Sequence, residues 1–561
     1  MLWPYAHGGE NVEHGVALLS QSGLLGTNLT MNERSLRFAY VFSIGNQAVM
    51  GIEDLLEVLM DDPAVSAIAL YVEGLRDISL FSQAAARALE KGIPIVALKA
   101  GASEIAARLT ITHTGSLSGT DELYQALFDR LGVIRVDSPA ALIETLKMLT
   151  IAGAPAGRRI AAFTCSGGDS TLLGDWGERT GISFPQPSPK VVEEVAAVLP
   201  PIATVCNPLD YTTPLWGNEE TLACVFGGIF KDDYDAALLV QDYMRAKFRD
   251  DNEWYRADAR AFIAASGKAN IPAAICSGLA ENMDRDAREM MIAGGVAPLQ
   301  GSGEALESIA HAATYGERRA EIKRTGDAGD LHLPPVPSIT GDVQTLDEWQ
   351  GKQLLAATGV PVPRGHLVES HAAADAAADI GFPVVVKMVS AAMPHKTEAG
   401  AVQLDLINAS EVKAAVQSIT ASVGERAPHA VSDLFLVEQM ITPTVAELIV
   451  GIRHDEQFGQ VMVIGGGGTL AELYGDSRSL LLPADRKTVS RALASLKVSA
   501  LIDGYRGQAA GDRVATIDVI LTLAQFAAQH CTRLMELDVN PLLVQPGGAC
   551  ASDVLLRMSA P

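Results

Sequence analysis

The sequence predicts a mixed α/β protein with two successive parallel-sheet domains and a third domain of α+β character. Short apolar strand patterns alternate with helical stretches near the start, and the same alternation repeats from residue 158. A segment rich in proline, glycine and aspartate then precedes a region with a different pattern. The predicted divisions are residues 1–150, residues 151–325, a linker at 326–342 and a third domain at 343–561.

The composition excludes several classes of protein. A chain of 561 residues that is 48% hydrophobic and 20% charged can bury a large core. A net charge of −24 disfavours a duplex nucleic-acid binder, which needs a basic face. No apolar run reaches the roughly 18 residues of a membrane helix. The chain begins without a signal-peptide pattern, and its six cysteines form no CxxC pair. We therefore expect a cytoplasmic protein without nucleic-acid or membrane partners.

The first two domains share one local pattern. Strands are predicted at VALLSQSG, AIALYVEG, IPIVALKAG and LGVIRV. The stretches GIEDLLEVLMDD, LFSQAAARALEKG and DELYQALFDRLG between them have the apolar spacing of helices. The second domain repeats the order with strands at RRIAAFTCSGG, DAALLVQDY, IPAAICSG and VAPLQG. Such alternation predicts parallel sheets with helices on both faces.

The third domain mixes helix and hairpin signals. DEWQGKQLLAATGVPVP predicts a helix followed by a turn, and FPVVVKMV predicts a buried strand. DLFLVEQMI, ELIVGI and QVMVIGGGG predict one hairpin-rich sheet, and the last residues predict two strands around a Pro-Gly turn.

His113 is the first candidate for chemistry. A single histidine in a loop more often forms a hydrogen bond with a backbone carbonyl. Glu73, however, ends a predicted strand, and ligands of parallel sheets bind at the carboxyl ends of the strands. A neutral imidazole is a competent nucleophile toward phosphorus when a carboxylate fixes its tautomer. Two glycine turns that lead into helices, at 20–23 and 166–168, offer backbone N–H groups to a phosphate. Simple turns with helix caps are the alternative.

Lys387 and a group of three oxygen-bearing side chains are further candidates. Lys387 lies inside an apolar strand, where it needs an anion unless its head reaches solvent at the strand end. Asp538 and Asn540 alternate and so share a strand face, and Asp553 lies on the predicted partner strand. These oxygens suit Mg²⁺, which bridges to phosphates. An Asx turn before Pro541 is the alternative.

Two loops complete the set of candidates. Gly465–Gly468 follow an apolar strand and precede Glu472, and glycines there allow the backbone to approach a phosphate closely. No GKS or GKT follows, and a glycine-rich hairpin without a ligand fits equally well. His395 and Lys396 lie in a polar loop between two strands, for which a mobile, solvated segment is the default.

Taken in order, these motifs resemble the NDP-forming (ADP-forming) acyl-CoA synthetases, relatives of succinyl-CoA synthetase, over nearly the whole chain. The resemblance rests on segments such as LLSQSGLLGT, ALYVEGLRD, THTGSLSGTDELYQALFDRLG, TCSGGDS, CNPLDYT, KQLLAATGVPVP, HKTEAGAVQLDL, IGGGGTLAEL and ELDVNPLLV. It implies two flavodoxin-like, succinyl-CoA synthetase-like domains followed by an ATP-grasp domain.

The resemblance implies a reaction in steps. ATP, held with Mg²⁺, phosphorylates a histidine, and the phosphohistidine passes its phosphate to a carboxylic acid. The CoA thiol then attacks the acyl phosphate to give acyl-CoA. The implied substrates are ATP or ADP, CoA and a small carboxylic acid, and the implied assembly is a homodimer. The sequence does not indicate which acid is used.

The resemblance also assigns roles to residues. It places the phosphohistidine at His113, its orienting carboxylate at Glu73 and a second histidine that relays phosphate at His395. The positions that match phosphate-holding helix N-termini are Ser22, Gly23, Ser166 and Gly167. Those that match the nucleotide site are Lys387, Glu438, Glu447, Gly466 and Gly467. Those that match metal ligands are Asp538, Asn540 and Asp553.

Two departures from the family pattern bear on function. The family usually begins with a CoA-binding Rossmann domain, and no such strand-turn-helix unit precedes VALLSQSG. We therefore expect that domain in a missing upstream region or in a partner chain. Cys165 and Ser166 stand where Asn and Ala are expected. The functional alternatives are a nucleotide-binding subunit that needs a separate CoA-binding chain, and an ATP-grasp enzyme that uses the acyl phosphate or acyl-CoA in another reaction.

Overall fold

The computed structural model describes residues 8–9, 12–103, 105, 121–243, 252–326, 331–390, 399–468 and 475–560. The chain divides into two compact units, Met1–His332 and Leu333–Pro561. The predicted division at residue 150 falls inside the first unit and the predicted linker spans the boundary, so the finer domain limits stay predictions. Within these described ranges no helix is long and apolar enough to cross a membrane.

The first unit begins with a five-stranded parallel sheet. Its strands are β1 (Gly15–Ser20), β2 (Phe38–Ser43), β3 (Val65–Val72), β4 (Ile95–Lys99) and β5 (Ile134–Val136). The described helices of this part are α1 (Gly23–Thr30), α2 (Ile52–Leu59), α3 (Ile78–Lys91), α4 (Asp121–Leu131) and α5 (Pro139–Lys147). The strand order is β2-β1-β3-β4-β5, and every pair is parallel.

The same unit contains a second parallel sheet. Its strands are β6 (Ile160–Thr164), β7 (Leu209–Asp210), β8 (Ala236–Val240), β9 (Ala273–Ser277) and β10 (Ala297–Gln300). Its helices are α6 (Gly167–Thr180), α7 (Pro189–Ala196), α8 (Glu219–Ile229), α9 (Asn252–Ala269), α10 (Arg285–Ala293) and α11 (Ser302–Thr325). The strand order is β10-β9-β8-β6-β7. Read from the β7 edge, it places the second strand first, then the first, third, fourth and fifth, as in the first sheet. Both sheets therefore have the flavodoxin-like order.

The second unit combines two sheets with helices. Its strands are β11 (Val343–Leu346), β12 (Gly365–Glu369), β13 (Val384–Met388), β14 (Val402–Leu406), β15 (Leu434–Gln439), β16 (Ala446–Asp455), β17 (Gly459–Gly466), β18 (Ser477–Leu481), β19 (Leu534–Gln545), β20 (Gly548–Ala551) and β21 (Val554–Ser559). The described helices are α12 (Glu348–Ala357), α13 (Ala373–Ile380), α14 (Ala409–Arg426), α15 (Arg486–Ala494), α16 (Ser499–Ile502) and α17 (Arg513–Gln529).

The prediction of a single hairpin-rich sheet in this unit is wrong. β15 lies in a four-stranded sheet of order β12-β15-β13-β14, whereas β16 and β17 form a hairpin in a larger sheet of order β11-β21-β19-β16-β17-β18. The segment 440–445 therefore carries the chain from one sheet to the other. The predicted fold class is confirmed, with two flavodoxin-like parallel sheets followed by an α+β domain.

Candidate nucleotide and phosphate sites

Ser22 and Ser166 cap the helices that follow β1 and β6. The Ser22 hydroxyl accepts from the Leu25 N–H at 3.4 Å, and the Ser166 hydroxyl accepts from the Asp169 N–H at 3.3 Å. Both caps stand at the carboxyl ends of parallel strands, where the helix N-termini offer N–H groups to an anion. In the described ranges no hydrogen bond joins the two caps, so their action on one phosphate stays a prediction.

Glu73 directly follows β3. Its backbone is held by side-chain amides that the sequence alone does not indicate. The Gln21 side-chain oxygen accepts from the N–H groups of Glu73 and Gly74, the latter at 3.1 Å. The amide nitrogens of Gln21 and Gln47 donate to the Gly74 carbonyl at 2.9 and 2.8 Å. Glu73 is buried, with its backbone fixed at the sheet edge. Its predicted partner His113 lies outside the described residues.

Lys99 is a further ionisable group at this edge. It ends β4 beside the last residue of β3, is buried, and donates to the Ala100 carbonyl. Its ammonium lies 4.4 Å from the centre of the Tyr124 ring. Burial lowers the pKa of Lys99 to about 8, against the opposing charges of Asp121 and Glu73. A strand-end lysine in a KAG turn has no distinctive pattern, which is why the sequence did not reveal it.

Asp258 on α9 is a buried carboxyl group close to the second cap. It accepts from the Gly217 N–H at 2.9 Å and from the Tyr211 hydroxyl at 3.1 Å. Burial raises the pKa of Asp258 to about 6, while these two hydrogen bonds oppose the rise. The carboxyl group also contributes to the raised pKa of the Cys165 thiol, for which burial is the main cause.

The raised pKa of Asp258 predicts a stability that depends on pH. The folded value of about 6 exceeds the unfolded value of about 3.9, so the native state holds the extra proton between them and stability falls as pH rises through this window. We expect Asp258→Asn to be more stable than the wild type near pH 7.5, by up to about 3 kcal/mol in the free energy of unfolding, with a smaller difference near pH 4.5. Thermal denaturation at both pH values checks this, and an equal difference at both contradicts it.

Lys387 and Glu438 meet in a cluster of four buried charges in the second unit. Lys387 on β13 donates to Glu348 Oε1 at 2.6 Å and to the Ser552 carbonyl at 2.7 Å, and its Nζ lies 3.1 Å from Glu438 Oε2. Lys352 donates to both oxygens of Glu438, at 2.6 and 2.8 Å. Burial alone would lower the pKa of Lys387, but the carboxylates, Glu348 first, raise it well above its usual value. Lys387 therefore meets anions and does not reach solvent at the strand end.

The strand register explains how this cluster forms. Lys387 pairs with Leu436 and Glu438 pairs with Val385, so both charged side chains occupy the same face of the small sheet. The alternate residues Val386 and Val437 belong to the apolar core on the other face. Lys352 and Glu348 come from one face of α12, four residues apart. The sequence alone does not indicate this buried pair, because a Glu and a Lys at such spacing usually form a solvated pair.

The glycine run lies against the backbone of Glu447. The Gly467 N–H donates to the Glu447 carbonyl at 2.7 Å, and the Gly466 N–H donates to the Asp476 carbonyl at 2.9 Å. A Cβ at Gly467 would lie 3.0 Å from the Glu447 carbonyl carbon, which explains the glycine there. Glu447 is exposed and stands on the face of β16 opposite the buried Leu448. Glu472 lies outside the described residues.

Two of the three predicted metal ligands, Asp538 and Asn540, lie in the middle of β19, and the third, Asp553, lies beside that strand. Asn540 is exposed on β19, and its N–H donates to the Asp553 carbonyl at 3.2 Å. Asp553 lies in the break between β20 and β21, so its predicted placement on a strand is wrong; the chain leaves the sheet there for two residues. Burial, then the charges of Glu536 and Asp553, raises the pKa of Asp538 to about 6.

These oxygens fit a cation that also binds substrate phosphates. The described part of the chain contains no group of three His, Cys, Asp or Glu side chains that could by itself hold a metal ion. The charge of Asp553, after burial and Glu536, nevertheless contributes to the raised pKa of Asp538, and a bound cation would relieve this repulsion. Mg²⁺ commonly takes one or two carboxylates and completes its shell with water and phosphate oxygens. His395 lies outside the described residues.

Comparisons with known proteins agree with this architecture. The model for the succinyl-CoA ligase like flavodoxin domain matches residues 13–149, and the ATP-grasp domain model matches residues 339–558. A trans-feruloyl-CoA synthase from an unknown prokaryotic organism is 30% identical over 558 residues, which cover 96% of this chain and 76% of that protein. A 4-hydroxybutyrate–CoA ligase [ADP-forming] of Nitrosopumilus maritimus is 27% identical over 568 residues, 95% and 76% of the two chains. The chain belongs to the ADP-forming acyl-CoA synthetases.

One solved structure is similar to part of this chain. The dinucleotide forming acetyl-coenzyme A synthetase 1 of Ca. Korarchaeum cryptofilum, in complex with phosphate and ADP, is 23% identical and covers 56% of this chain and 68% of its own, with a TM-score of 0.49. For this ADP-forming acyl-CoA synthetase the predicted family and reaction class are confirmed, and the roles of the individual site residues stay predictions.

Proposed function

We propose that this chain makes acyl-CoA from ATP, a carboxylic acid and CoA through a phosphohistidine and an acyl phosphate. The observation that carries the proposal is the meeting of Lys387 and Glu438. Both were selected from the sequence as nucleotide residues, they lie on different strands, and Lys387 Nζ is 3.1 Å from Glu438 Oε2. A buried ammonium group can donate charge-assisted hydrogen bonds to a nucleotide phosphate that replaces one of its carboxylate partners.

In this proposal the second unit holds the nucleotide. Lys387 contacts a phosphate, Glu438 and Glu447 hold the nucleoside, and the backbone at Gly466 and Gly467 lies beside the phosphates. Asp538, Asn540 and Asp553 would hold Mg²⁺, which neutralises phosphate charge when it is bound. The close approach of Gly467 to the Glu447 backbone supports this arrangement, because it leaves no side chain between the two strands.

The first unit carries the covalent step. A ring nitrogen of His113 attacks the γ-phosphorus of ATP, the bond to the β-γ bridging oxygen breaks, and ADP leaves. A carboxylate oxygen of the acid then attacks the phosphorus, which frees the imidazole and gives the acyl phosphate. Glu73 fixes the imidazole tautomer, and the helix N-termini at Ser22–Gly23 and Ser166–Gly167 hold the phosphate. His395 would relay phosphate between the nucleotide and this site.

The last step consumes CoA. The thiolate sulfur attacks the acyl carbon, the carbon–oxygen bond to phosphate breaks, and inorganic phosphate leaves while the thiol proton passes to solvent. We propose that the enzyme works as a homodimer, as its family resemblance implies.

Hydroxylamine trapping tests the proposal without CoA. The chain is incubated with ATP, Mg²⁺, hydroxylamine and one acid at a time, including ferulate, 4-hydroxybutyrate and acetate, which the names of relatives suggest. We expect one acid class to give an acyl hydroxamate in equal amount to ADP. ATP binding with no hydroxamate from any acid would contradict the ligase function and favour a nucleotide-binding subunit.

A further inference from the structure

Glu348 is the acceptor that both lysines of the charge cluster share. Its Oε1 lies 2.6 Å from Lys387 Nζ and 2.8 Å from Lys352 Nζ. The Ser552 carbonyl is also common to both, at 2.7 Å from each ammonium group. One anionic oxygen that bridges two ammonium groups has the contacts that an oxygen of a nucleotide phosphate would make at the same place.

The backbone that carries Glu348 is fixed. Glu348 is the first residue of α12, whose N-cap Asp347 accepts from the Gln350 N–H at 2.8 Å and forms a capping box with it. A Cβ at Gly351 would lie 3.2 Å from Val554 Cγ1, so this helix packs closely on β21. A change in the contacts of Glu348 therefore requires rotation of its side chain and not displacement of the helix.

The donors of Lys387 are fully used. Its three partners are Glu348 Oε1, the Ser552 carbonyl and Glu438 Oε2, and an ammonium group has three donors. A phosphate can therefore bind Lys387 only in exchange for one of them. The Glu348 oxygen is the closest of the three acceptors to Lys387, whereas Glu438 is bound more closely to Lys352 through both of its oxygens.

We infer that Glu348 is a positioning residue that holds Lys387 and Lys352 at one point and competes with a nucleotide phosphate for them. This inference rests on the proposed nucleotide site. Each nucleotide that binds must displace the Glu348 carboxylate from Lys387, and the displaced charge stays near the phosphates because the backbone of Glu348 is fixed. Glu348 therefore lowers nucleotide affinity while it stabilises the cluster of four charges.

The Glu348→Gln variant tests this competition. Glutamine keeps the size of the side chain and removes the charge, so we expect the Kd for MgADP to fall about tenfold in titration calorimetry. We expect the melting temperature without nucleotide to fall as well, because two buried ammonium groups then face one carboxylate. Opposite effects on affinity and stability separate competition from a purely structural role, which would leave the affinity unchanged or weaken it.

Two further variants complete the test. Glu348→Asp keeps the negative charge but moves it away from the two lysines. We expect its Kd for MgADP to be about threefold below that of the wild type. We also expect this variant to fold even where the glutamine variant does not. Glu144→Gln is the matched control, since Glu144 is fully buried with its Oε2 2.7 Å from Lys147 Nζ in the first unit. It should melt earlier with an unchanged Kd.

The outcomes distinguish this inference from the proposed function. A wild-type chain that binds no MgADP contradicts the proposed nucleotide site, and the inference with it. If the wild-type chain binds MgADP and a folded Glu348→Gln or Glu348→Asp variant binds it equally or more weakly, the proposed competition is contradicted. The proposed nucleotide site is not affected by that result.

Discussion

Lys387→Met is expected to bind MgATP at least about 100-fold more weakly than the wild type, because methionine keeps the apolar stem and loses the phosphate contact. The substitution also leaves Glu348 and Glu438 with one ammonium group in a buried site, which is expected to cost about 3–5 kcal/mol of stability. Titration calorimetry and thermal denaturation measure the two effects separately.

A charge-balanced double variant separates lost binding from lost folding. Lys387→Met with Glu348→Gln leaves Lys352 and Glu438 as a neutral pair, within 2.6 Å of each other. We expect this chain to recover most of the melting temperature and to remain defective in MgATP binding. Recovery of nucleotide binding together with stability would show that Lys387 is structural and does not contact phosphate.

His113→Ala is expected to lower acyl hydroxamate formation by at least about 1,000-fold, because alanine cannot accept the phosphoryl group. The nucleotide site lies on other residues, so MgADP binding should not change. His366→Ala is the matched control, since His366 is exposed on β12 and pairs with Asp379 at 2.9 Å. Equal activity in the His113 and His366 variants would contradict a phosphohistidine at residue 113.

Much of the fold could be predicted from local pattern. The apolar runs of β3, β4, β8 and β9 are buried on both faces, as continuous hydrophobic strands of parallel sheets are. β2 was not predicted, because its residues are only partly buried at the edge of the sheet. The assignment of β15 and β16 to one sheet failed because sheet membership depends on contacts distant in sequence.

Single residues of the candidate site could be predicted from the sequence, but the contacts between their side chains could not. The position of Lys387 in an apolar strand required an anionic partner, and the structure supplies Glu438. The role of Glu348 could not be read from the sequence, because its partner Lys387 lies 39 residues further along the chain. Long-range packing therefore decides which charged side chains meet.

In the proposed reaction, ATP phosphorylates this chain on a histidine. The most direct measurement is incubation of the purified chain with γ-labelled ATP and Mg²⁺, followed by acid and base treatment of the labelled protein. The account predicts protein-bound label that is lost in acid, survives base and is absent from His113→Ala. A chain that binds ATP and takes up no label, or acid-stable label that persists in His113→Ala, would contradict it.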